Sequence, residues 1–237
     1  MDIYFPMAGQ GARFGHKFKP FLTIGDETFI EAAVAPFRPW LGQIRRFVFV
    51  YLETQERDFA VSSRLATMFA GLPIECVRLA SPTRGPAETI GLAVDQLQGT
   101  GPAMICDCDH ALDVGPLFER FAAATQAAAV LPVWPLDPEE LASWSVALVA
   151  DGRAWAIREK AMPATERPGT AMGVIGCYGF ADVASVTARG NALGATNYSD
   201  ILREMLQEGL VVEAVPISRA RFFGDPQRLE RALKGSA

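Results

Sequence analysis

Gly9 and Gly11 end an apolar run, Ile3-Tyr4-Phe5-Pro6-Met7-Ala8, and Arg13, Lys17 and Lys19 follow. Glycine has no Cβ, so the backbone here can take φ > 0 and let another group press against its amides. Successive N–H groups facing one concavity make an anion site, and the three cations add charge beside it. The chemistry suited to this pattern is the holding of a polyphosphate. Asp107-Cys108-Asp109-His110 ends another apolar run, Ala103 to Cys106. If that strand stays extended, alternation puts Asp107 and Asp109 on one face, where one divalent cation could meet both.

Three readings of the glycine turn compete. A dinucleotide-binding fingerprint needs glycines that open a helix and an acid about 20 residues further on. Residues 12 to 26 have no helical apolar period, Pro20 interrupts them, and the first acid ending a strand-like run is Glu53. A Walker phosphate loop needs Gly-Lys-Ser/Thr after the second glycine, which is absent. An ordinary strand-to-loop turn accounts for the glycines but not for Arg13 and the Lys19-Pro20 pair.

The elements that must position these groups alternate. Apolar periodicity predicts helices over Glu27 to Phe37, Thr54 to Ala70 and Pro86 to Leu97. Strands at Arg46 to Tyr51, Ile74 to Val77 and Ala103 to Cys106 stand between and after them. This order implies an α/β fold, a mostly parallel mixed sheet with helices on both faces. Such sheets hold ligands outside the carboxyl ends of their strands. Asp113 reads as the cap of a helix to about Ala124. Ala127 to Trp134 reads as a strand that Pro132 and Pro135 take out of the regular ladder. Asp151-Gly152, between Ser145 to Val149 and Ala154 to Arg158, signals a hairpin closed by Glu159-Lys160. Residues 161 to 170 read as a loop, Met172 to Phe180 as one strand and Gly190 to Gly194 as a glycine-rich loop. A helix carrying Ile201, Leu202, Met205 and Leu206 and a strand from Val211 to Val215 follow. Asp225 before Pro226 suits a helix N-cap.

At 237 residues, half of them hydrophobic, the chain can bury the core of an α/β domain. The formal charge is −5 and no basic block exceeds Arg45-Arg46. Nucleic acid and anionic membrane surfaces are therefore not expected partners. No apolar run approaches the ~18 residues that span a bilayer, and Met1-Asp2-Ile3 lacks the basic start of a signal peptide. Cys76, Cys106, Cys108 and Cys177 form no Cys-x-x-Cys pair and read as reduced, packed thiols in a cytoplasmic protein. With only His16 and His110, a histidine-based hydrolase or a His-rich metal site is not expected.

Pro6-Met7-Ala8-Gly9-x-Gly11-x-Arg13-Phe14, then Lys19-Pro20-Phe21-Leu22, Gly25 and Phe29-Ile30-Glu31, resembles the signature of the sugar-phosphate nucleotidyltransferases. The resemblance extends over nearly the whole chain. It implies a Rossmann-like GT-A fold in one domain, 1–237, with a nucleotide-binding half to about residue 125 and an acceptor-binding half beyond. It implies that Ala8, Gly9 and Gly11 wrap a nucleoside triphosphate and that Arg13 and Lys19 contact its phosphates. Gly85, Ala87 and Thr89 would approach the nucleobase, and Glu88 could accept hydrogen bonds from it. The family pattern favours Asp109 as a magnesium ligand, whereas Asp107 falls where the family more often has an uncharged residue. Glu159 and Lys160 would lie at the acceptor, the lysine on its phosphate, with Gly176 passing beneath the sugar. The tail Gly224-Asp225-Pro226-x-x-Leu229 resembles the family's closing segment, with one departure. Phe222 stands where many members carry a second metal-binding aspartate, and Asp225 replaces a threonine. Either Asp109 holds the metal alone with phosphate oxygens, or Asp225 serves as a second ligand, or activity is reduced.

The implied reaction transfers NMP from an NTP to a sugar 1-phosphate, giving an NDP-sugar and pyrophosphate, with Mg2+ as cofactor. A phosphate oxygen is already an anionic nucleophile, so the site must mainly hold two charged molecules in line and offset their charge. Two alternatives stand beside it. One is a cytidylyltransferase acting on a non-sugar phosphate or phosphonate such as phosphocholine, with Trp134, Trp144, Trp155 and Tyr178 as candidates for an aromatic cage. The other is a non-catalytic nucleotide-binding subunit, which Phe222 makes thinkable. The expected partners are an NTP and a phosphorylated small-molecule acceptor, with a homo-oligomer left open.

Overall fold

The computed structural model describes residues 1–123, 126–164 and 167–234, and of Arg13 only the backbone. The chain opens with β1 (Asp2–Pro6), the glycine turn, and a short ladder of β2 (Thr23–Ile24) and β3 (Glu27–Thr28) that launches α1 (Phe29–Val34). Then come β4 (Arg46–Leu52), α2 (Glu53–Phe59), α3 (Val61–Met68), β5 (Ile74–Leu79), α4 (Pro86–Leu97) and β6 (Ala103–Cys106). β7 (His110–Leu112) and α5 (Gly115–Ala123) lead to β8 (Ala129–Pro135), β9 (Ser145–Ala150), β10 (Arg153–Glu159) and β11 (Thr170–Val174). β12 (Cys177–Phe180), α6 (Val183–Leu193), α7 (Tyr198–Gln207), β13 (Val212–Pro216), β14 (Ala220–Phe222) and α8 (Pro226–Leu233) complete the chain.

Ten strands form one sheet in the order β11-β9-β10-β13-β8-β12-β6-β1-β4-β5. The sheet is mixed. β6-β1-β4-β5 pair in parallel, as their helical crossovers require. On the other side β12 joins β6 antiparallel, and only β8 with β13 is parallel. Alternation along each central strand feeds two cores. Ile3, Phe5, Phe47, Phe49 and Met104 meet α1, α3 and α5 on one face. Tyr4, Val48, Val50 and Ile105 meet α4, α6 and α7 on the other. Both faces are covered, so the strands read as near-continuous apolar runs.

Four expected elements change. The single helix over 54 to 70 is two, because Ala60 takes φ 49° and turns the chain. Glu56 then accepts from the Ser62 N–H and hydroxyl at 2.9 and 2.7 Å and starts α3. The helix from Glu27 shortens to α1, capped by Thr28 and Glu31, and continues as 3-10 turns over Ala35–Gln43, where Pro36 and Pro39 lack donors. The strand over 172 to 180 splits at Ile175-Gly176. β11 pairs with β9 and β8, whereas β12 pairs with β6 and β8. On β8 the partner changes from β12 to β11 at Pro132, so that ladder is interrupted where the proline predicted it. Finally, Gly190 lies inside α6 and only Gly194 is a left-handed cap. A Cβ on Gly190 would stand 3.1 Å from Ile201 Cδ1, so this glycine serves helix packing.

At the amino end of β1, away from the glycine turn, Asp2 is buried and takes both Arg45 Nε and Nη2 at 2.7 and 2.6 Å and Arg46 Nε at 3.1 Å. Burial alone would raise its pKa, but the two guanidinium groups hold it below the ordinary carboxylate value. Arg45→Ala should lower stability by about 1 kcal/mol, since Arg46 remains. NTP affinity should not change; thermal melting beside an NTP titration checks both.

Candidate active site

β1 delivers the glycine turn, and Met7 N–H still bonds Val50 O at 2.7 Å before the chain leaves the sheet. Gly11 takes φ 62°, and a Cβ there would lie 2.0 Å from Lys17 O. Only glycine permits that closure. Gly11 O accepts from Phe14 and His16 N–H at 2.9 and 3.1 Å, which turns the loop back on itself. Among the described residues no acceptor takes the N–H of Gly9, Gln10 or Gly11. Arg13 sits on the 3-10 turn Ala12–Phe14, and its side chain lies outside the described residues. Ala8 packs its methyl into the core under the turn.

Buried Pro20 fixes the next turn, Lys19–Phe21, and aims Lys19 across to β6. Its Nζ meets Asp109 Oδ2 at 2.7 Å. Asp109 Oδ1 lies 3.4 Å from His110 Nδ1. Burial works against the Asp109 carboxylate, but Lys19 and His110 hold its pKa well below the usual range. Lys19 is raised in turn: burial is the largest single influence and would lower it, but the Asp109 charge, its hydrogen bond and the neighbouring Cys108 and Asp107 together outweigh it. Asp107 differs. Burial, then the Asp109 charge, push it up to about 6.

Two glycines make room for these carboxylates. A Cβ on Gly176 would stand 2.1 Å from Asp107 Oδ2, and one on Gly224 would stand 2.6 Å from Asp109 Oδ2. Asp107 N–H also bonds Gly176 O at 2.7 Å, so the junction of β11 and β12 is clamped to the end of β6. Phe223 N–H bonds Asp109 O at 3.0 Å, and β14 pairs with β7 so that Phe222 faces His110.

Two cavities meet at this point. One, about 260 Å³, is walled by Gly9, Gly11, Lys19, Asp107 and Gly224. The other, about 220 Å³, has Asp107, Asp109, Glu159, Lys160, Gly176 and Tyr178 among its walls. Asp107 and Gly224 belong to both. Glu159 is held by the hydroxyls of Ser145 and, at 3.1 Å, Ser199. Lys160 adopts φ 52° beyond β10, where its N–H bonds Trp144 O at 2.9 Å. Its ammonium is half-exposed and 3.8 Å from Glu159 Oε1.

Gly85, Ala87 and Thr89 line neither cavity. A Cβ on Gly85 would lie 2.3 Å from Thr196 O, and Ala87 N–H bonds the same carbonyl at 3.1 Å. Thr89 is buried, with its hydroxyl on Gly85 O at 3.0 Å and Thr83 Oγ1 at 2.6 Å. Arg84 occupies both Glu88 carboxylate oxygens, by its N–H at 2.6 Å and Nε at 3.2 Å. Asp225 caps α8, accepting from Arg228 N–H at 2.9 Å, and its other oxygen is 3.6 Å from Arg228 Nε. Asp225→Ala should therefore cost about 0.5–2 kcal/mol of stability. Turnover should stay near normal; a collapse of turnover at unchanged melting would make Asp225 a ligand instead.

The four aromatic candidates separate. Trp144 and Tyr178 line the second cavity. Trp134 lies beside Phe222, centroids 5.5 Å apart, in a neighbouring groove. Trp155 lies elsewhere, under the Arg167 guanidinium at 3.2 Å. Phe222 completes an aromatic cluster with Trp134 and Trp144 and offers no ligand atom. Among the described residues no three His, Cys, Asp or Glu side chains converge to hold a metal. Sequence reasoning missed Ser145, Tyr198 and Ser199, and of Gly224 it saw the closing segment but not the contact with Asp109. A local trace of Tyr198 and Ser199 was Asn197-Tyr198-Ser199 standing between a glycine and a helix.

The mixed sheet with its turn at the carboxyl end of β1 defines a GT-A-like α/β protein. Residues 7–170 match the MobA-like NTP transferase domain, and the chain belongs to that family. No curated protein matches the sequence at a significant level. Among solved structures, a nucleoside-diphosphate-sugar pyrophosphorylase from Vibrio cholerae RC9 aligns with TM-score 0.77 at 19% identity, over 98% of this chain and 99% of that one. A UTP-bound UGPase from Acinetobacter baumannii aligns with TM-score 0.75 at 16% identity, over 99% and 92% of the two chains. A UDP-glucose pyrophosphorylase complexed with UDP-glucose gives 0.76 at 16%, over 99% and 97%. These likenesses establish the fold. Among the described residues no helix is long and apolar enough to cross a membrane.

Proposed function

We propose that the protein transfers a nucleotidyl group from an NTP to a sugar 1-phosphate, releasing pyrophosphate. The observation that carries this reading is the meeting of the two cavities at Asp107 and Gly224, one walled by the glycine turn and Lys19, the other by Glu159 and Lys160. The free amides of the turn, with Arg13 and Lys19, receive the triphosphate. Lys160 receives the acceptor phosphate, and Glu159 accepts from acceptor hydroxyls. The acceptor oxygen is already anionic, so holding it in line with the transferred phosphorus is the main task. No side chain need remove a proton.

The donor set also suits magnesium. Asp107 and Asp109 supply hard oxygens on one cavity wall, and Mg2+ is commonly held by one or two carboxylates plus substrate phosphates. Asp109, with Asp107 beside it, would hold the ion, which would offset charge on the phosphates. A phosphate arriving at Lys19 would draw its ammonium from Asp109 and leave that carboxylate available.

One observation favours a second acceptor. Trp144, Tyr178 and Tyr198 share the second cavity with Glu159, a combination that suits an ammonium-bearing phosphate such as phosphocholine. Pyrophosphate release over the NTPs, each with sugar 1-phosphates and with choline and amino-alcohol phosphates, decides between the two. Release that needs one NTP, one sugar 1-phosphate and Mg2+ is the expected result. Tight NTP binding without release for any pair would leave a nucleotide-binding subunit.

A further inference from the structure

Gln55 stands at the start of α2, far in sequence from the glycine turn, and is buried. Its side chain is a two-sided bracket. Oε1 accepts from Leu52 N–H at 2.8 Å at the end of β4, and Nε2 donates to Gly9 O at 3.1 Å. The orientation of the amide is fixed, since the Leu52 N–H must face an oxygen and the Gly9 carbonyl must face a nitrogen. A Cβ built on Gly9 would meet nothing within 4 Å, so side-chain packing does not hold the turn at this residue. In a trans peptide the carbonyl and the following N–H point in opposite directions. Holding Gly9 O toward Gln55 therefore directs the Gln10 N–H away from it, and that N–H has no acceptor among the described residues.

We infer that Gln55 is a positioning residue for the triphosphate: it fixes the Gly9–Gln10 peptide plane so that the amides of the turn are set for phosphate before it arrives. The inference rests on the nucleotide reading of the turn. Prepaid orientation of amide donors is what a phosphate site requires, since donors that must turn on binding lose affinity. Without the bracket the Gly9–Gln10 plane is free to flip, glycine being the residue least resistant to it.

Two variants separate positioning from support. Gln55→Glu keeps the acceptor for Leu52 N–H but sets a carboxylate oxygen against Gly9 O. Gln55→Met removes both bonds and adds no charge. The probes are each NTP, inorganic tripolyphosphate and the matching nucleoside, titrated calorimetrically into the full chain with Mg2+, beside thermal melting. Gln55→Met is expected to weaken NTP and tripolyphosphate alike, by about tenfold, the net worth of one hydrogen bond. Gln55→Glu should lose more. Nucleoside affinity should be unchanged in both, because the bracket acts on amides that meet phosphate. Tripolyphosphate affinity within twofold of wild type in both variants overturns the inference. So does a parallel loss for nucleoside and tripolyphosphate with lowered melting, which would make Gln55 a structural residue only. A wild type that binds neither NTP nor tripolyphosphate overturns the nucleotide reading itself, and the bracket with it.

Discussion

Asp109→Asn is expected to remove nearly all turnover while the fold stays intact, with melting somewhat earlier because Lys19 loses its ion pair. Asparagine has the same shape and keeps an oxygen that can accept from Lys19 Nζ, which now lies 2.7 Å from Asp109 Oδ2. What it loses is the charge. A carboxylate that holds a phosphoryl-site cation contributes several kcal/mol to the transition state, so turnover should fall by about a thousandfold. Pyrophosphate release in saturating Mg2+, beside a melting curve, reads both quantities. Retention of more than half the activity would sink the assignment of Asp109.

Gly176→Ala is the second large effect. Its new Cβ would stand 2.1 Å from Asp107 Oδ2 and 2.8 Å from Asp107 Cγ. Either the carboxylate moves or the junction between β11 and β12 does, and the 2.7 Å bond from Asp107 N–H to Gly176 O is strained in both cases. Overpacking of this kind costs about 1–3 kcal/mol, and a misplacement of about 1 Å at a reacting centre costs roughly a hundredfold in rate. Gly42→Ala is the matched control, because a Cβ there meets nothing within 4 Å and its φ is not positive. That change should stay within about 0.5 kcal/mol. If Gly176→Ala melts and turns over as Gly42→Ala does, the close approach of Asp107 to Gly176 has no functional weight.

Much of the site was legible because its signals are local. Gly11 permits φ > 0 whatever surrounds it, Pro20 sets the turn that carries Lys19, and Asp225 before Pro226 reads as a cap from neighbouring residues. The strand ahead of Asp107 is legible from Ala103 to Cys106 alone. The split of the helix at Ala60 was not. Alanine carries no turn signal, and only in the fold does its left-handed φ stand before a helix whose Val61 and Leu65, with Phe69, are buried in the core. Nor was the break at Gly176, since strand periodicity continues through it and only the position of β6 decides which residues stay paired.

The sequence by itself determined the alternation of strands and helices, the glycine turn with its cations, and the pair of aspartates at the end of β6. Each follows from backbone preference and apolar period over a few neighbouring residues. Tertiary structure alone decided the partners: Lys19 on Asp109, Gly176 under Asp107, Ser145 and Ser199 on Glu159, Gln55 on Gly9. Those contacts join residues between 14 and 90 positions apart. Apart from Ser145 and Glu159, which face each other across the β9–β10 hairpin, no local preference specifies them. They form because burying both faces of one ten-stranded sheet brings its strand ends together at a single edge.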